Sequence, residues 1–475
     1  MGLPADEVLR RLEALRSGDL PTHGGRTLAY VYDSGLAEAD ELGRRALAMF
    51  ASANGLDPTA FPSLLRMEQD LVRFAAGLLD GPDGVVGTVT SGGTESILLA
   101  VQAARDSRPE VHRPTMVLPS TAHAAFHKAA HYFGVEPVVV PVQPDTCRAD
   151  ADAMAAAIDD RAVLVVASAP SYAHGVVDPV TPIAAAAAAA GIRCHVDACI
   201  GGWVLPYLRR LGDDHPDWTF AVPGVTSISV DLHKYAYTPK GVSLLLHRDA
   251  GLRHAQFFAA ADWPGYTMLN STTQSTKSGG PLAAAWAVVA HLGDDGYLSL
   301  ARQARGGIHE LLEAMGTVPH LSLVTQPDST LVALRADEAC DVFTVSDEML
   351  ARGWFVQPQM AFGPHPPSVH LSFSAATAPH VADFVAALRD SVAAAVAAGP
   401  GQVAPDLAAA ATAIDPETLD DGAFEGLLRV AGLAGPDGEL VLPERMAPVN
   451  ALLNVAPPRL REALLVAFLD RLSRP

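Results

Sequence analysis

Residues 85–246 alternate short β-branched or apolar runs with helix-forming stretches, and this alternation restricts the fold more than any other feature of the chain. Runs joined by helical crossovers pair side by side and parallel, with helices covering the sheet. Strands are expected at 85–90, 116–118, 138–142, 162–168, 194–196, 227–230 and 242–246. Helices over 94–104, through 124–133 and along the alanine-rich run from Pro182 fall between them. In such sheets, ligand chemistry gathers just beyond the carboxyl ends of the strands. The residues that follow each run are therefore the ones to inspect.

The flanking regions have a different texture. Residues 1–62 carry an amphipathic helix at 6–16, a polar loop and a second helix at 37–53, the pattern of an arm that packs on something larger. Met67, Leu71, Phe74 and Leu78 then mark one face of the helix that opens a large domain, 63–295. After it, shorter strands at 331–334 and 369–373 indicate a smaller α+β domain, 296–475. That domain contains a divergent Ala/Pro/Gly/Asp-rich insertion at 399–442 and ends in an amphipathic helix at 458–472.

A net charge of −20 disfavours nucleic acid and anionic membranes as partners. The longest apolar-looking runs, 183–192 and 392–398, are alanine-dominated and too short to span a bilayer. The N-terminus lacks the basic and apolar regions of a secretion signal. Four scattered cysteines form neither a CxxC pair nor a disulfide framework. The expectation is a cytoplasmic protein without a membrane span or a metal.

Only four lysines occur, Lys128, Lys234, Lys240 and Lys277, so a carbonyl cofactor that needs a primary amine has few anchors. Lys234 alone follows a strand, in Asp231-Leu-His233-Lys234. An isolated His-Lys pair at a strand end is ordinarily a solvated turn, but two further strand ends change its weight. Thr90-Ser-Gly-Gly93-Thr94-Glu-Ser96 joins a strand to a helix, where free amides and the helix dipole converge on a phosphate. His195-Val-Asp197 ends another strand with a carboxylate, suited to hold a proton on a pyridine nitrogen. Phosphate loop, Asp197 and Lys234, in that order, point to pyridoxal 5'-phosphate. His123, at the start of a helix, could stack on its ring, and Ser168, Ser171 and His174 lie at a strand-to-loop crossing within reach of its polar groups.

With these motifs in place the chain resembles the sphingosine-1-phosphate lyase family, within the fold type I pyridoxal phosphate enzymes related to amino acid decarboxylases. The resemblance runs from about Gly25 to the last helix. It is carried by residues 90–97, His123-Ala-Ala-Phe126, His174-Gly-Val-Val-Asp-Pro179, His195-Val-Asp-Ala-Cys199, His233-Lys-Tyr235, Pro239-Lys-Gly241 and Asp262-Trp263. It implies an aspartate aminotransferase-like α/β fold and a homodimer with the active site at the subunit interface. Lys234 would hold the cofactor covalently and Asp197 its ring nitrogen; Gly93, Thr94 and His233 would bind its phosphate, and His123 would stack on the ring. Tyr32 would reach into the partner's site alongside Lys240.

The chain departs from the family where substrate is held. Asp57 stands where a phosphate-binding histidine is usual, and a carboxylate repels phosphate; a shifted loop that turns Asp57 to solvent is an equal alternative. Lys277 replaces an arginine and loses its bidentate fork. The favoured activity is retro-aldol Cα–Cβ cleavage of a phosphorylated β-hydroxy amine, giving an aldehyde and an amine, with His123, Lys234 and Tyr32 as unranked proton-transfer candidates. Amino acid α-decarboxylation, with Lys277 or Lys240 facing the carboxylate, is the first alternative. Aldol-type bond formation and a non-catalytic dimeric scaffold follow.

Overall fold

Seven strands form the central sheet: β1 (Val86–Thr90), β2 (Thr115–Pro119), β3 (Glu136–Val140), β4 (Ala162–Ser168), β5 (Arg193–Asp197), β6 (Ser227–Asp231) and β7 (Ser243–His247). Their spatial order is β1-β7-β6-β5-β4-β2-β3. Neighbours from β6 to β3 pair in parallel, and β7 runs antiparallel to both β1 and β6. The protein is described here by a computed structural model covering residues 2–401, 403, 414–418, 421–430, 433, 440 and 443–474.

The strands appear where the apolar runs place them because they are covered on both faces: β2, β4, β6 and β7 are buried at every residue. Ahead of the sheet come α1 (Ala5–Arg16), α2 (Ala37–Met49) and α3 (Pro62–Leu78), and α4 (Gly93–Asp106), α5 (Ala125–Phe133), α6 (Ala151–Ala156) and α7 (Val180–Ala189) alternate with its strands. Short helices α8 (Leu205–Arg210) and α9 (Ala250–His254) and the hairpin β8 (Phe258–Ala260) and β9 (Met268–Asn270) complete this part. On α7, Ile183, Ala184 and Ala187 are buried, and the small alanines let the helix lie close to β4 and β5.

α10 (Gly280–Met315) leads out of the large domain, and its helical geometry breaks at Gly293, where φ is 56° and ψ −173°. A side chain is disfavoured in that conformation, so glycine marks the turn between domains. A second sheet, β10 (Leu321–Leu323), β11 (Leu331–Ala336), β12 (Gln357–Gln359) and β13 (Ser368–Ser372), is antiparallel, in the order β10-β11-β13-β12. α11 (Val342–Ala351) and α12 (Val381–Ala398) share its apolar core, which includes Phe343, Trp354, Phe373 and Phe384.

About half of the expected insertion at 399–442 falls outside the described residues. α13 (Asp421–Val430) lies within it, and α14 (Ala447–Val455) and α15 (Pro458–Leu472) follow, with a separate small core of Phe424, Leu428 and Leu433 against Val449, Leu464 and Phe468. On α15, Leu460 is buried and Leu464 and Phe468 pack on this small core, whereas Leu465, Val466, Leu469 and Leu472 are exposed.

Parallel pairing gives β2, β4, β5 and β6 a common direction. Their carboxyl ends, Pro119, Ser168, Asp197 and Asp231, therefore lie along one edge of the sheet. β1 joins them in direction because it is antiparallel to β7, so Thr90 reaches the same edge.

Candidate active site

Lys234 lies in the tight turn after β6, its amide bonded to Asp231 O at 3.3 Å. Its Nζ sits 3.0 Å from Asp231 Oδ2, with both side chains largely buried. Burial is the largest single influence and opposes the charge on the amine, but Asp231, Tyr32 and Cys199 together outweigh it and hold the lysine pKa above its usual value. Burial would likewise raise Asp231; Lys234, His233 and a 2.6 Å hydrogen bond from Ser243 Oγ hold it low instead. His233 makes a 3.0 Å hydrogen bond between Nδ1 and Val242 O and turns Nε2 to within 3.6 Å of Asp231 Oδ2.

The β1–α4 junction meets this turn. Gly92 precedes α4 with no side-chain cap, so the first amides of the helix stay available. A Cβ built on Gly93 would lie 2.7 Å from Cys199 Sγ and 2.8 Å from both Asp231 carboxylate oxygens, and one on Gly92 would be 3.9 Å from His233 Cε1. Glycine is thus what lets the helix start approach the lysine turn. Thr94 is exposed at the same helix start. The buried Glu95 accepts hydrogen bonds from Ser91 N at 2.6 Å and Thr273 N at 3.0 Å, tying the α4 entrance to the 272–277 loop.

Asp197 ends β5, buried, with Oδ1 accepting from Cys199 N at 3.1 Å and Ser229 Oγ at 3.4 Å. His195, pushed down to about 4 by burial, is neutral and bonds Ser227 Oγ and Ser229 Oγ. Ser168 ends β4, where Asp178 fixes its amide at 2.8 Å. Two buried hydroxyls on neighbouring loops, Thr121 Oγ1 and Ser171 Oγ, have no hydrogen-bond partner. His123 is exposed; its Nδ1 accepts from Ala125 N at 3.1 Å, and no described hydrogen bond or ion pair joins it to Lys234 or Asp197.

Tyr32 corrects the expected reach into a partner's site: it lies in its own chain's site. Its ring packs edge-on against Tyr235 at 5.0 Å, Lys240 Nζ sits 5.3 Å from its centroid, and its phenol feels the charge of Lys234. Burial raises the phenol pKa, so Tyr32 stays protonated at neutral pH. Lys240 is exposed and donates to Tyr30 O at 2.8 Å; the protein packed around its amine together with the Lys234 charge pushes its pKa down to about 8. Tyr172 also faces this space, within the electrostatic reach of Tyr32 and Lys234.

Three expected residues lie apart from this group. His174 turns toward Cys147 and His365. Asp57 is exposed and spends Oδ1 on its own turn, accepting from Thr59 N at 2.8 Å, Thr59 Oγ1 at 2.6 Å and Ala60 N at 3.3 Å. Lys277 lays its stem against Gly55 and its charge acts on Glu68. Asp231, Glu95, Cys199 and Tyr172 also join this group, with no role foreseen for them from the sequence. The position of Asp231, three residues before Lys234 at a strand end, is the one signal that could have found any of them.

A phosphorylated pyridine aldehyde fits what is present: a buried primary amine, a buried carboxylate at the next strand end, an uncapped helix start and unpartnered hydroxyls between them. Comparison with known proteins agrees. Residues 37–335 match the model of the pyridoxal-dependent decarboxylase conserved domain, and residues 405–471 match a C-terminal domain of pyridoxal-dependent enzymes thought to be of HTH type. The chain is 37% identical to a sphingosine-1-phosphate lyase of Arabidopsis thaliana over 413 residues, 85% of this chain and 74% of the relative. It is 30% identical to a probable L-aspartate decarboxylase of Pyrococcus furiosus, over 76% of this chain and 95% of the relative. The solved Burkholderia pseudomallei sphingosine-1-phosphate lyase superposes with a TM-score of 0.78 at 35% identity, covering 84% of this chain and 92% of that one. A strand-end lysine and carboxylate beside a glycine-built helix start, on a scaffold shared at this identity, leave one assignment: the chain belongs to the sphingosine-1-phosphate lyase family of pyridoxal-dependent decarboxylase-type enzymes and is a pyridoxal 5'-phosphate-dependent lyase.

Proposed function

We propose that the substrate is a phosphorylated β-hydroxy amine, cleaved between Cα and Cβ to an aldehyde and a phosphorylated amine. The observation that carries this reading is the likeness to sphingosine-1-phosphate lyases along 85% of the chain. When bound, the cofactor supplies an electron sink for the pair released from the breaking bond. Lys234 anchors it, and Asp197 holds a proton at its ring nitrogen. The Gly92–Thr94 amides and His233 bind its phosphate, and His123 covers the ring. Tyr32, protonated and beside Lys234, is placed to exchange a proton with the substrate hydroxyl. Lys240, cationic below pH about 8, offers the charge for an anionic substrate group.

The likeness to the L-aspartate decarboxylase favours one alternative, in which Lys240 meets an α-carboxylate and carbon dioxide leaves. Titrating the holoenzyme with a phosphorylated long-chain amino alcohol and with a panel of amino acids, with mass detection of products, separates the two. Aldehyde from the amino alcohol supports the proposal; carbon dioxide from an amino acid with no aldehyde overturns it.

We also propose a cytoplasmic homodimer. α1 buries no residue of its own chain and exposes Val8, Leu9, Leu12 and Leu15, an apolar face suited to a second copy. All four cysteines are free, which suits a reducing compartment. No described helix is long and apolar enough to cross a membrane.

A further inference from the structure

Cys147, His174 and His365 come from three separate turns, yet each offers a ligand atom within 4.8 Å of the other two. Cys147 lies in a loop closed by the Val142–Ala149 bridge, its thiol buried and its φ at 58°. Few non-glycine residues adopt that left-handed conformation, so the loop spends backbone strain to turn this side chain inward. Its Sγ is 3.9 Å from His365 Nδ1. His365 sits in a turn closed by reciprocal 3.0 Å hydrogen bonds with Phe362. The His174 ring lies 5.1 Å from that of His365.

An independent observation points to a ligand here. His174 is 8% exposed, and its Nδ1 has no hydrogen-bond partner. A buried nitrogen without a partner is unfavourable unless something satisfies it.

We propose that Cys147, His174 and His365 bind a thiophilic divalent transition ion of the zinc class at the seam between the large and small domains. One sulfur and two imidazole nitrogens suit a tetrahedral ion with a fourth position left to solvent, whereas magnesium or calcium would require oxygen ligands. Binding exchanges the thiol proton for the metal: the S–H bond breaks, the proton leaves to solvent, the S–metal bond forms, and no electron moves. Cys147 and His174 belong to loops of the large domain, and His365 to the turn before β13 of the small one. Arg148 and Asp328 already cross the same seam, with Arg148 Nη2 2.9 Å from Asp328 Oδ1. His174 stands two residues after Tyr172, so the ion would brace a loop that borders the lysine pocket. The sequence reading expected no metal because these ligands share no local spacing; only folding brings them together.

The test uses untagged holoenzyme with Zn²⁺ and Co²⁺ as probes, alongside Cys147→Ser and His365→Gln. The expected result is one zinc per chain, affinity weakened about tenfold or more in each variant, and a zinc-dependent rise in Tm that both variants lose. Bound Co²⁺ should show tetrahedral ligand-field bands with thiolate character that Cys147→Ser removes. Circular dichroism establishes that each variant is folded, and the milder His365→Gln keeps the test open should Cys147→Ser misfold. Unchanged zinc content and cobalt spectra in folded variants, or no zinc retained by the wild type, would overturn the proposal.

Discussion

Replacing Gly93 by alanine asks whether the start of α4 must approach the Lys234 turn as closely as it does. The added carbon would lie 2.7 Å from Cys199 Sγ and 2.8 Å from the Asp231 oxygens. Ordinary contact distances are about 3.5 Å or more, so helix and strand end must part by roughly 0.7 Å. Asp231 cannot easily yield, being held at 2.6 Å by Ser243 and at 3.0 Å by Lys234. Overpacking of this kind costs about 1–3 kcal/mol. Because the displacement falls on both the phosphate cradle and the anchor, it should emerge as a loss of cofactor affinity of roughly 5- to 150-fold. The assay is titration of apo-protein with pyridoxal 5'-phosphate, followed by absorbance, with circular dichroism to confirm the fold. Gly77→Ala is the control: Gly77 lies within α3 with open space around it, so alanine there should leave affinity unchanged and add about 0.5–1 kcal/mol of stability. A folded Gly93→Ala variant that binds the cofactor within about twofold of wild type would refute the cradle argument.

Three further predictions concern the substrate side. Lys240 has its pKa lowered to about 8, so it is charged below that pH and neutral above; KM for an anionic substrate should climb as pH passes about 8, and Lys240→Met should erase the climb. A wild-type KM that stays flat across this range counts against Lys240 as the anion site. Tyr32→Phe keeps the edge-on contact with Tyr235 but removes the hydroxyl, and kcat should fall about 10²- to 10⁴-fold with KM little changed; an unaltered kcat excludes Tyr32 from proton transfer. Asp57→Asn preserves the turn acceptor and removes an exposed charge, so kcat/KM on a phosphorylated amino alcohol should stay within about twofold. A tenfold gain would mean that the carboxylate faces the substrate phosphate after all.

The parts of the fold legible in sequence are those fixed by local pattern. Apolar runs followed by helix-forming stretches mark the strands, and chemistry-bearing residues just past them, Gly93, Asp197 and Lys234, fall along one sheet edge because parallel pairing puts them there. Strand direction is not encoded in such runs, so the antiparallel insertion of β7 between β1 and β6 is invisible until pairing is seen. Side-chain partners set by long-range folding are equally hidden. Tyr32 meets Lys240 across more than two hundred residues of chain, and Glu95 meets the amide of Thr273. Nothing in His174-Gly175 tells that the ring turns toward a cysteine loop and a small-domain turn instead of toward Ser168. Asp57 shows the reverse: its exposed turn is an Asp-x-Thr pattern readable in sequence, but only the structure shows its oxygen spent on Thr59 and Ala60.

The claim on which the rest depends is that Lys234 holds the cofactor. Borohydride reduction of the holoenzyme followed by peptide mapping tests it directly. The structure predicts a pyridoxyl group on Lys234 alone, since its amine is buried at the strand end beside Asp231, whereas Lys128 lies over Tyr132 on α5 and Lys240 is held by Tyr30 O. A pyridoxyl group on Lys128, Lys240 or Lys277, or a Lys234→Ala variant that still carries a reducible linkage, would contradict it.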